Sequence, residues 1–160
     1  GGTVIGICGG YQILGKSISD PNGLEGDIPQ INGLGLLEIS TELRPEKTVK
    51  NSKPQSVEHN ITLDGYEIHM GHTGGEDCNR PMIDCGTHKD GAISKQGNVK
   101  GCYLHGLFGS DEYRSVILKA AGYKGSANLS YRQSVEDALD ELAKEMESWL
   151  DMDGLLEKAS

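Results

Sequence analysis

The sequence has no long apolar run and few positive charges. No apolar stretch approaches the roughly 18 residues that a helix needs to cross a bilayer. The N-terminus lacks the charged and apolar regions of a secretory signal peptide, so none is predicted. Lysine and arginine number 15 against 24 aspartate and glutamate residues, which gives a formal net charge of −9. Because nucleic acids and anionic membranes are bound by clustered cations, neither is predicted as a partner.

Cysteine pairs at metal-binding spacing are also missing. The four cysteines are Cys8, Cys78, Cys85 and Cys102, and no CxxC pair occurs among them, so no metal site is predicted. Their scattered positions do not resemble a disulfide framework, which favours reduced thiols and a cytoplasmic location. Glycine, in contrast, is abundant, with 23 residues whose irregular spacing indicates tight turns and close backbone approaches.

The mixture of strand-like and helix-like segments predicts an α/β fold. Strands are predicted over Thr3–Ile7 (buried), Leu34–Ser40, Asn60–Leu63, Tyr66–Met70, Ala92–Ser94 and Val99–Leu104. The dipeptide Asp64-Gly65 predicts a hairpin between the third and fourth of these strands, and the last two are expected to form a second hairpin. The polar stretch from Thr41 to Glu58 is predicted to be a loop.

Two helices are predicted in the C-terminal part of the chain. Ser110 offers an N-cap for the first, which ends at Gly122. Ser134 offers an N-cap for the second, in which apolar residues recur at helical spacing, namely Val135, Leu139, Leu142, Met146 and Trp149. We therefore divide the sequence into a domain over residues 1–128 and an amphipathic helix of the same domain over residues 129–160.

A nucleophile motif follows the first predicted strand. The segment Gly6-Ile7-Cys8-Gly9-Gly10 fits the pattern G-x-nucleophile-x-G, in which the nucleophile lies on a sharp turn between a strand and a helix. The N-terminus of that helix favours a thiolate, and the next backbone N–H, that of Gly9, points to where an oxyanion would form. Cys8 is therefore a candidate nucleophile. The alternative is a buried structural cysteine at a glycine turn.

A thiolate nucleophile needs a base, which is usually histidine. Of the five histidines, His59 and His88 lie in polar stretches and are predicted to be surface residues. His105 ends a predicted strand and precedes a glycine, at the edge where the active sites of open α/β sheets gather. It is the candidate base, and its alternative role is structural. Glu67 and His69 lie on the same face of a predicted strand. The spacing alone favours neither of two interpretations, in which this face is exposed to solvent or points into a functional site.

Four segments resemble a known family. The segment from Gly6 to Gly15 resembles the nucleophile segment of class I (triad-type) glutamine amidotransferases. The segments DPNGLEG from Asp20, GYEIHMG from Gly65 and GCYLHGLF from Gly101 narrow the resemblance. Together they look like the C-terminal glutaminase domain of the cobyric acid synthase branch, whose substrates are corrinoids.

The resemblance implies a flavodoxin-like glutaminase domain, of which this chain carries the later portion without the N-terminal strands. It implies that Cys8 is the nucleophile and His105 the base, and that Gln12 binds substrate glutamine. Gly9 is expected to bind the substrate as well, through the backbone N–H that the turn directs at the oxyanion. No cofactor is expected in this domain. Ammonia would pass to an N-terminal synthetase domain of the same protein, which would use ATP and Mg²⁺. The corrinoid would bind outside this part of the chain. The implied reaction is amidation of adenosylcobyrinic acid a,c-diamide to cobyric acid in cobalamin biosynthesis.

One position departs from the family pattern. Triad enzymes usually carry a glutamate two residues after the histidine, where this chain has Leu107. Glu67 is a candidate substitute that would orient His105. Three alternative functions remain open: the glutaminase subunit of another amidotransferase, such as one that amidates a cell-wall glutamate; a catalytically inactive docking module; and a cysteine hydrolase that uses water alone. If flanking strands and one oxyanion donor are missing, residues 1–160 alone are expected to be poorly active.

Overall fold

A computed structural model describes residues 2–125 and 130–159, with the backbone alone for residues 47–52. The chain divides into two compact units, residues 1–125 and residues 126–160. The predicted boundary between residues 128 and 129 lies outside the described residues. The mixture of helices with parallel and antiparallel strands confirms the α/β class.

The first unit contains three β-sheets and two α-helices within its described residues. Its strands are β1 (Val4–Ile7), β2 (Ser17–Ser19), β3 (Gln30–Asn32), β4 (Ile39–Ser52), β5 (Gln55–Ser56), β6 (Gly65–Gly75), β7 (Ile83–Asp84), β8 (Lys89–Asp90), β9 (Ala92–Ile93), β10 (Val99–Cys102) and β11 (Leu104–His105). Its helices are α1 (Gly9–Leu14) and α2 (Asp111–Ala120), with short 3₁₀ turns at Glu76–Asn79 and Leu107–Gly109. The strand orders are β1-β10-β9, β11-β6-β4-β2-β3 and β5-β7-β8.

The strand that leads to Cys8 is less buried than its composition predicts. β1 runs parallel to β10 and pairs with no other strand in the described part of the chain. Val4 is 39% exposed, and Gly6 is the buried residue of this strand. The predicted strand is present, but the prediction that it is buried is wrong, because Thr3 and Val4 are exposed and Ile5 and Ile7 are half-buried. A parallel strand is fully buried only when neighbours and helices cover it on all sides.

One of the two predicted hairpins is confirmed and the other is wrong. β9 and β10 are antiparallel neighbours, as predicted. β6, in contrast, pairs with β4 on one side and with β11 on the other. Gly65 begins β6 rather than forming a turn, and a Cβ atom there would lie 2.3 Å from the carbonyl oxygen of His105. The loop predicted from Thr41 to Glu58 is mostly β4, because β6 pairs with the backbone of this polar stretch.

The segment from Cys102 to Leu104 lies between two apolar clusters. The first cluster consists of Ile61, Leu63, Met82, Ile83, Cys102, Leu104, Leu107 and Tyr113. The second consists of Tyr11, Leu14, Leu37, Ile39, Ala92, Val99 and Tyr103. Alternate side chains of an extended segment point to opposite faces. Cys102 and Leu104 therefore anchor the segment in one cluster and Tyr103 anchors it in the other, just before His105.

The predicted N-cap residue is correct for α2 and wrong for the long C-terminal helix. The hydroxyl of Ser110 accepts the N–H of Tyr113 at 3.3 Å, as expected. The second unit contains α3 (Tyr131–Trp149) and α4 (Met152–Ala159). Ser130 caps α3 by accepting the N–H of Gln133, so the prediction of Ser134 as the cap is wrong. The Ser134 hydroxyl instead donates to the Ser130 carbonyl within the helix. That this helix belongs to the same domain stays a prediction.

In the part of the chain that the structure describes, no helix combines the length and apolar character needed to span a membrane.

Candidate active site

Cys8 lies on a strained turn between β1 and α1. Its backbone has φ of 53° and ψ of −117°, which residues other than glycine rarely adopt. Gly6 makes the turn feasible, because a Cβ atom there would lie 2.5 Å from the carbonyl oxygen of Gly10 and 2.7 Å from Leu14 Cδ1. The strand and the helix are thus closer than a side chain would permit. The predicted strand–turn–helix setting of Cys8 is confirmed, and its catalytic role stays a prediction.

Backbone contacts fix the position of Cys8. Its N–H donates to the carbonyl of Cys102 at 3.0 Å, and its Sγ lies 3.7 Å from the carbonyl oxygen of Ile68 in β6. The N–H groups of Gly9 and Gly10 belong to the first turn of α1, which has no preceding helical carbonyl to accept them. A half-buried thiol therefore lies beside backbone donors that the helix itself does not use.

His105 lies against the same stretch of β6 as Cys8. It is the register partner of Tyr66, and the two rings stack with centroids 5.1 Å apart and planes 7° apart. Its Nε2 atom is buried and has no hydrogen-bond partner. Tyr66 and Ile68 are two residues apart in the strand, about 7 Å. Within the described residues, no hydrogen bond joins the Cys8 thiol to His105. The role of His105 as base stays a prediction.

Gln12 connects α1 to β6 and to the strand segment before His105. Its Nε2 donates to the Met70 carbonyl and to the Tyr103 hydroxyl, each at 3.2 Å. The Tyr103 hydroxyl also bonds Thr73 Oγ1 at 2.5 Å, and its ring stacks on His69 with centroids 3.7 Å apart. Burial raises the pKa of Tyr103, so this group is a neutral hydroxyl. Gln12 is one helical turn from Cys8, and its contact with substrate stays a prediction.

Glu67 is 2% exposed and lies in a polar cluster. Both of its carboxylate oxygens lie 3.1 Å from Nε2 of His88. The Cys85 thiol donates to Oε1 at 3.4 Å, and Nε2 of His69 lies 3.8 Å from Oε2. Among the described residues, Glu67 makes no hydrogen bond to His105, so no contact supports its predicted orienting role.

His88 is not the simple surface residue that its polar surroundings predict. Its ring is paired with the buried Glu67 carboxylate, and its Nδ1 lies 3.1 Å from the Thr87 hydroxyl. The side chain is 32% exposed. The pairing depends on how the loop between β7 and β8 folds back onto β6, which local polarity does not reveal.

Asp90 is a supporting residue that the sequence did not reveal. Its carboxylate accepts the N–H of Tyr103 at 3.0 and 3.1 Å and the N–H of Leu104 at 3.1 Å, which fixes the backbone immediately before His105. Burial raises the pKa of the Asp90 carboxyl to about 6, although the bonds from the Tyr103 backbone act in the opposite direction. The one available signal was the neighbouring Gly91, which has φ of 82° and leaves no room for a Cβ atom.

A cavity of about 260 Å³ lies on the Glu67 side of β6. Its lining includes Glu67, His69, Cys78, His88, Asp90 and Tyr103, and does not include Cys8 or His105. A second cavity, of about 330 Å³, is lined by Gln12 together with acidic and apolar residues, among them Asp20, Glu25, Asp27, Ile28 and Leu43. The second cavity therefore adjoins the face of α1 on which Cys8 and Gln12 lie one turn apart.

Residues 1–113 match the CobB/CobQ-like glutamine amidotransferase domain. The cobyric acid synthase of Allorhizobium ampelinum is 58% identical over 151 residues, which cover 94% of this chain and 31% of that protein. The cobyric acid synthase of Sinorhizobium fredii is 56% identical with the same coverage. That of Brucella suis is 52% identical over 155 residues, which cover 97% of this chain and 32% of the relative. The chain thus spans about a third of the length of these relatives. It belongs to the CobB/CobQ-like glutamine amidotransferase domain family.

Proposed function

We propose that this chain hydrolyses glutamine to release ammonia, with Cys8 as the nucleophile and His105 as the base. The observation that carries the proposal is the strained turn at Cys8, where Gly6 brings the strand and the helix together. Strain of this kind persists where the surrounding structure enforces it, and it clusters at reactive sites. Membership of a glutamine amidotransferase family supports glutamine hydrolysis as the chemistry of this cysteine.

In this mechanism the Cys8 thiolate attacks the amide carbon of glutamine. The N–H of Gly9 donates to the oxyanion that forms. His105 takes the thiol proton and gives it to the departing ammonia, which leaves a thioester. His105 then activates the water that hydrolyses the thioester and releases glutamate. The unpartnered Nε2 of His105 is available for these transfers, provided that the ring moves from its stack on Tyr66 toward the sulfur.

Glutamine would bind along the face of α1 that carries Gln12. The cavity beside Gln12 contains the acidic residues Glu25 and Asp27, which suit the ammonium group of an amino acid. The Nε2 of Gln12 donates to the Met70 carbonyl and to the Tyr103 hydroxyl, and these two bonds fix the orientation of the side-chain amide. Its amide oxygen therefore has a fixed direction. This arrangement supports a substrate-positioning role for Gln12.

For the complete protein we propose transfer of the ammonia to an N-terminal ATP-dependent synthetase domain. That domain would bind ATP and Mg²⁺ and amidate corrinoid carboxylates, converting adenosylcobyrinic acid a,c-diamide to cobyric acid in cobalamin biosynthesis. The names of the relatives support this acceptor over a cell-wall glutamate. The four cysteines are free thiols, which fits a reducing cytoplasm.

Covalent labelling tests the proposal. The full-length protein is treated with a glutamine analogue that carries an electrophilic head group, and the modified peptide is identified by mass spectrometry. We expect label on Cys8, protection by excess glutamine, and no label in Cys8→Ser. Label on Cys78, Cys85 or Cys102 with Cys8 untouched would overturn the assignment. Absence of any label, in protein that still amidates with free ammonia, would favour an inactive docking module.

The acceptor is tested separately. The full-length protein should amidate cobyrinic acid a,c-diamide in its adenosylated form when ATP, Mg²⁺ and glutamine are present. Glutamine hydrolysis without any such amidation would leave the glutaminase assignment intact and refute the corrinoid acceptor.

A further inference from the structure

Three metal-binding side chains from distant parts of the chain converge beside β6. Glu67 comes from the strand itself, and Cys85 and His88 come from the short loop between β7 and β8. The carboxylate oxygen, the Cys85 Sγ and the His88 Nε2 lie within 4.8 Å of one another. Two of these ligands are separated by two residues, at Cys-x-x-His spacing, and Gly86 with φ of 77° turns the chain between them. No motif in the sequence connects this pair with Glu67.

The distances from Glu67 to the other two side chains are close to those around a tetrahedral ion. With zinc–ligand distances of about 2.0–2.1 Å for oxygen and nitrogen and about 2.3 Å for sulfur, a tetrahedron has edges of about 3.3–3.6 Å. The observed edges from Glu67 Oε1 are 3.1 Å to His88 Nε2 and 3.4 Å to Cys85 Sγ, and the edge between His88 Nε2 and Cys85 Sγ is within 4.8 Å. The two edges from Glu67 therefore need shifts of only a few tenths of an ångström to match those of a tetrahedral zinc ion.

Glu67 lies in a buried, acidic environment that a divalent cation would stabilise. Its carboxylate is 2% exposed, and a second carboxylate, that of Asp90, is 5% exposed nearby. Buried carboxylates are costly unless a cation or several donors compensate them. Within the described residues, no lysine or arginine pairs with Glu67, whose partners are two histidines and a thiol.

We propose that Glu67, Cys85 and His88 bind one Zn²⁺ ion, with water from the adjoining cavity as the fourth ligand. A mixed oxygen, nitrogen and sulfur ligand set suits Zn²⁺, whereas Mg²⁺ and Ca²⁺ prefer oxygen alone. The Thr87 hydroxyl lies 3.1 Å from His88 Nδ1 and would orient the ring, as outer partners of metal-bound histidines do.

Zinc binding would change the protonation of Cys85. A metal ion deprotonates a coordinating thiol, so the S–H bond breaks, a Zn–S bond forms and one proton passes to solvent. The ion would then join the β7–β8 loop to β6 at Glu67, the register partner of Leu104. The site thus supports the strand that carries His105.

Cobalt substitution tests the site in the full-length protein, freed of metal and corrinoid. Co²⁺ bound to a thiolate gives a charge-transfer absorption in the near ultraviolet, and Zn²⁺ should displace it because Zn²⁺ binds such sites more tightly. We expect this band in the wild type and its loss in Cys85→Ser and His88→Ala. Cys78→Ser is the matched control and should keep the band, because Cys78 bonds the Tyr11 hydroxyl and is not a ligand.

A second measurement does not depend on folding of the variants. Zn²⁺ should slow alkylation of Cys85 in the wild type by about tenfold or more, because a metal-bound thiolate is withheld from the reagent. The reactivity of Cys78 in the same sample is the internal reference. A wild type with neither the thiolate band nor protection of Cys85 would show that the three residues form only a hydrogen-bonded network. A band that persists in Cys85→Ser would place the metal elsewhere. Both outcomes would overturn the proposal, and neither depends on whether Cys8 is labelled.

Discussion

Two groups of residues next to β6 differ in how fully their polar atoms are paired. The reactive group, Cys8 and His105, contains a strained backbone and a buried ring nitrogen with no hydrogen-bond partner. The support group consists of Glu67, His88 and Asp90, and its members are extensively hydrogen-bonded. Glu67 pairs with His88, and both carboxylate oxygens of Asp90 accept backbone N–H groups. Buried polar groups are normally paired, so the unpaired Nε2 of His105 is a group that a reacting proton or a ligand can use.

The difference has a physical logic. A base must have its lone pair available, and a nucleophile must be exposed to substrate, so neither can be fully committed within the resting protein. The precision of the site then has to come from neighbours. Asp90 bonds the backbone at Tyr103 and Leu104, and the flanking apolar clusters hold the side chains of the same segment.

The largest expected effect belongs to the nucleophile. Cys8→Ser should lower glutamine-dependent amidation by about four orders of magnitude or more, because a serine hydroxyl here lacks the acidity of a thiol. Amidation driven by free ammonia should remain, since only the nitrogen source is lost. Both rates are measured on the full-length protein, with Cys78→Ser as the control. Equal loss of both rates would mean that Cys8 holds the structure rather than attacking glutamine.

The next effect belongs to the base. His105→Gln should lower kcat for glutamine hydrolysis by about 10²–10⁴-fold, the usual contribution of a general base. His59→Gln is the matched control, because His59 packs near Tyr113, with ring centroids 6.1 Å apart, and contacts neither group. A larger loss in His69→Gln than in His105→Gln would show that the base is on the Glu67 side of β6.

Asp90 tests whether the support group sets the activity of the reactive group. Asp90→Asn replaces one carboxylate oxygen with an NH₂ that faces a backbone donor, which should displace the segment before His105. We expect kcat to fall by about tenfold to a hundredfold with little change in KM, since small misplacements of a catalytic group have effects of that size. An unchanged kcat would mean that the apolar clusters alone position His105.

The pH dependence of stability separates Asp90 from an ordinary surface acid. Because burial raises its pKa from 3.8 to about 6, the stability that protonated Asp90 contributes is full below about pH 4 and is lost as the pH rises to about 6. The free energy of unfolding of wild type relative to Asp90→Asn should fall over that window. Asp84 is the control of opposite sign. Lys89, and then the N–H of Gly86, lower its pKa, so its contribution is lost only as the pH falls below about 4.

What the sequence predicts depends on how local the determinant is. The turn at Cys8, the β9–β10 hairpin and the Ser110 cap each depend on residues close in sequence, and all three are confirmed. The support group could not be predicted in the same way. Glu67 and His88 are 21 residues apart, and Asp90 and Tyr103 are 13 apart. Their contacts join β6 to the β7–β8 loop and β8 to the segment before His105, and no local pattern encodes such pairings.

The smallest expected effect tests whether close packing, rather than glycine content, shapes the Cys8 turn. Gly6→Ala would place a Cβ atom 2.5 Å from the Gly10 carbonyl oxygen, whereas a Cβ atom on Gly10 itself would have no neighbour within 4 Å. Neither position has the positive φ that would strain alanine by itself. Overpacking of this kind costs about 1–3 kcal/mol, while alanine within a helix gains up to about 1 kcal/mol over glycine.

Amide hydrogen exchange of the peptides that span β1 and α1 is the appropriate measurement, because it reports local opening within the full-length protein. Gly6→Ala should accelerate exchange in these peptides by about tenfold or more, following from the overpacking cost. Gly10→Ala should leave exchange unchanged or slow it. Exchange in the peptides around Glu67 and Asp90 should be the same in both variants, because these residues lie outside the turn. Equal acceleration in the two variants would contradict the close-packing explanation and leave the strained backbone of Cys8 without the support that we assign to Gly6.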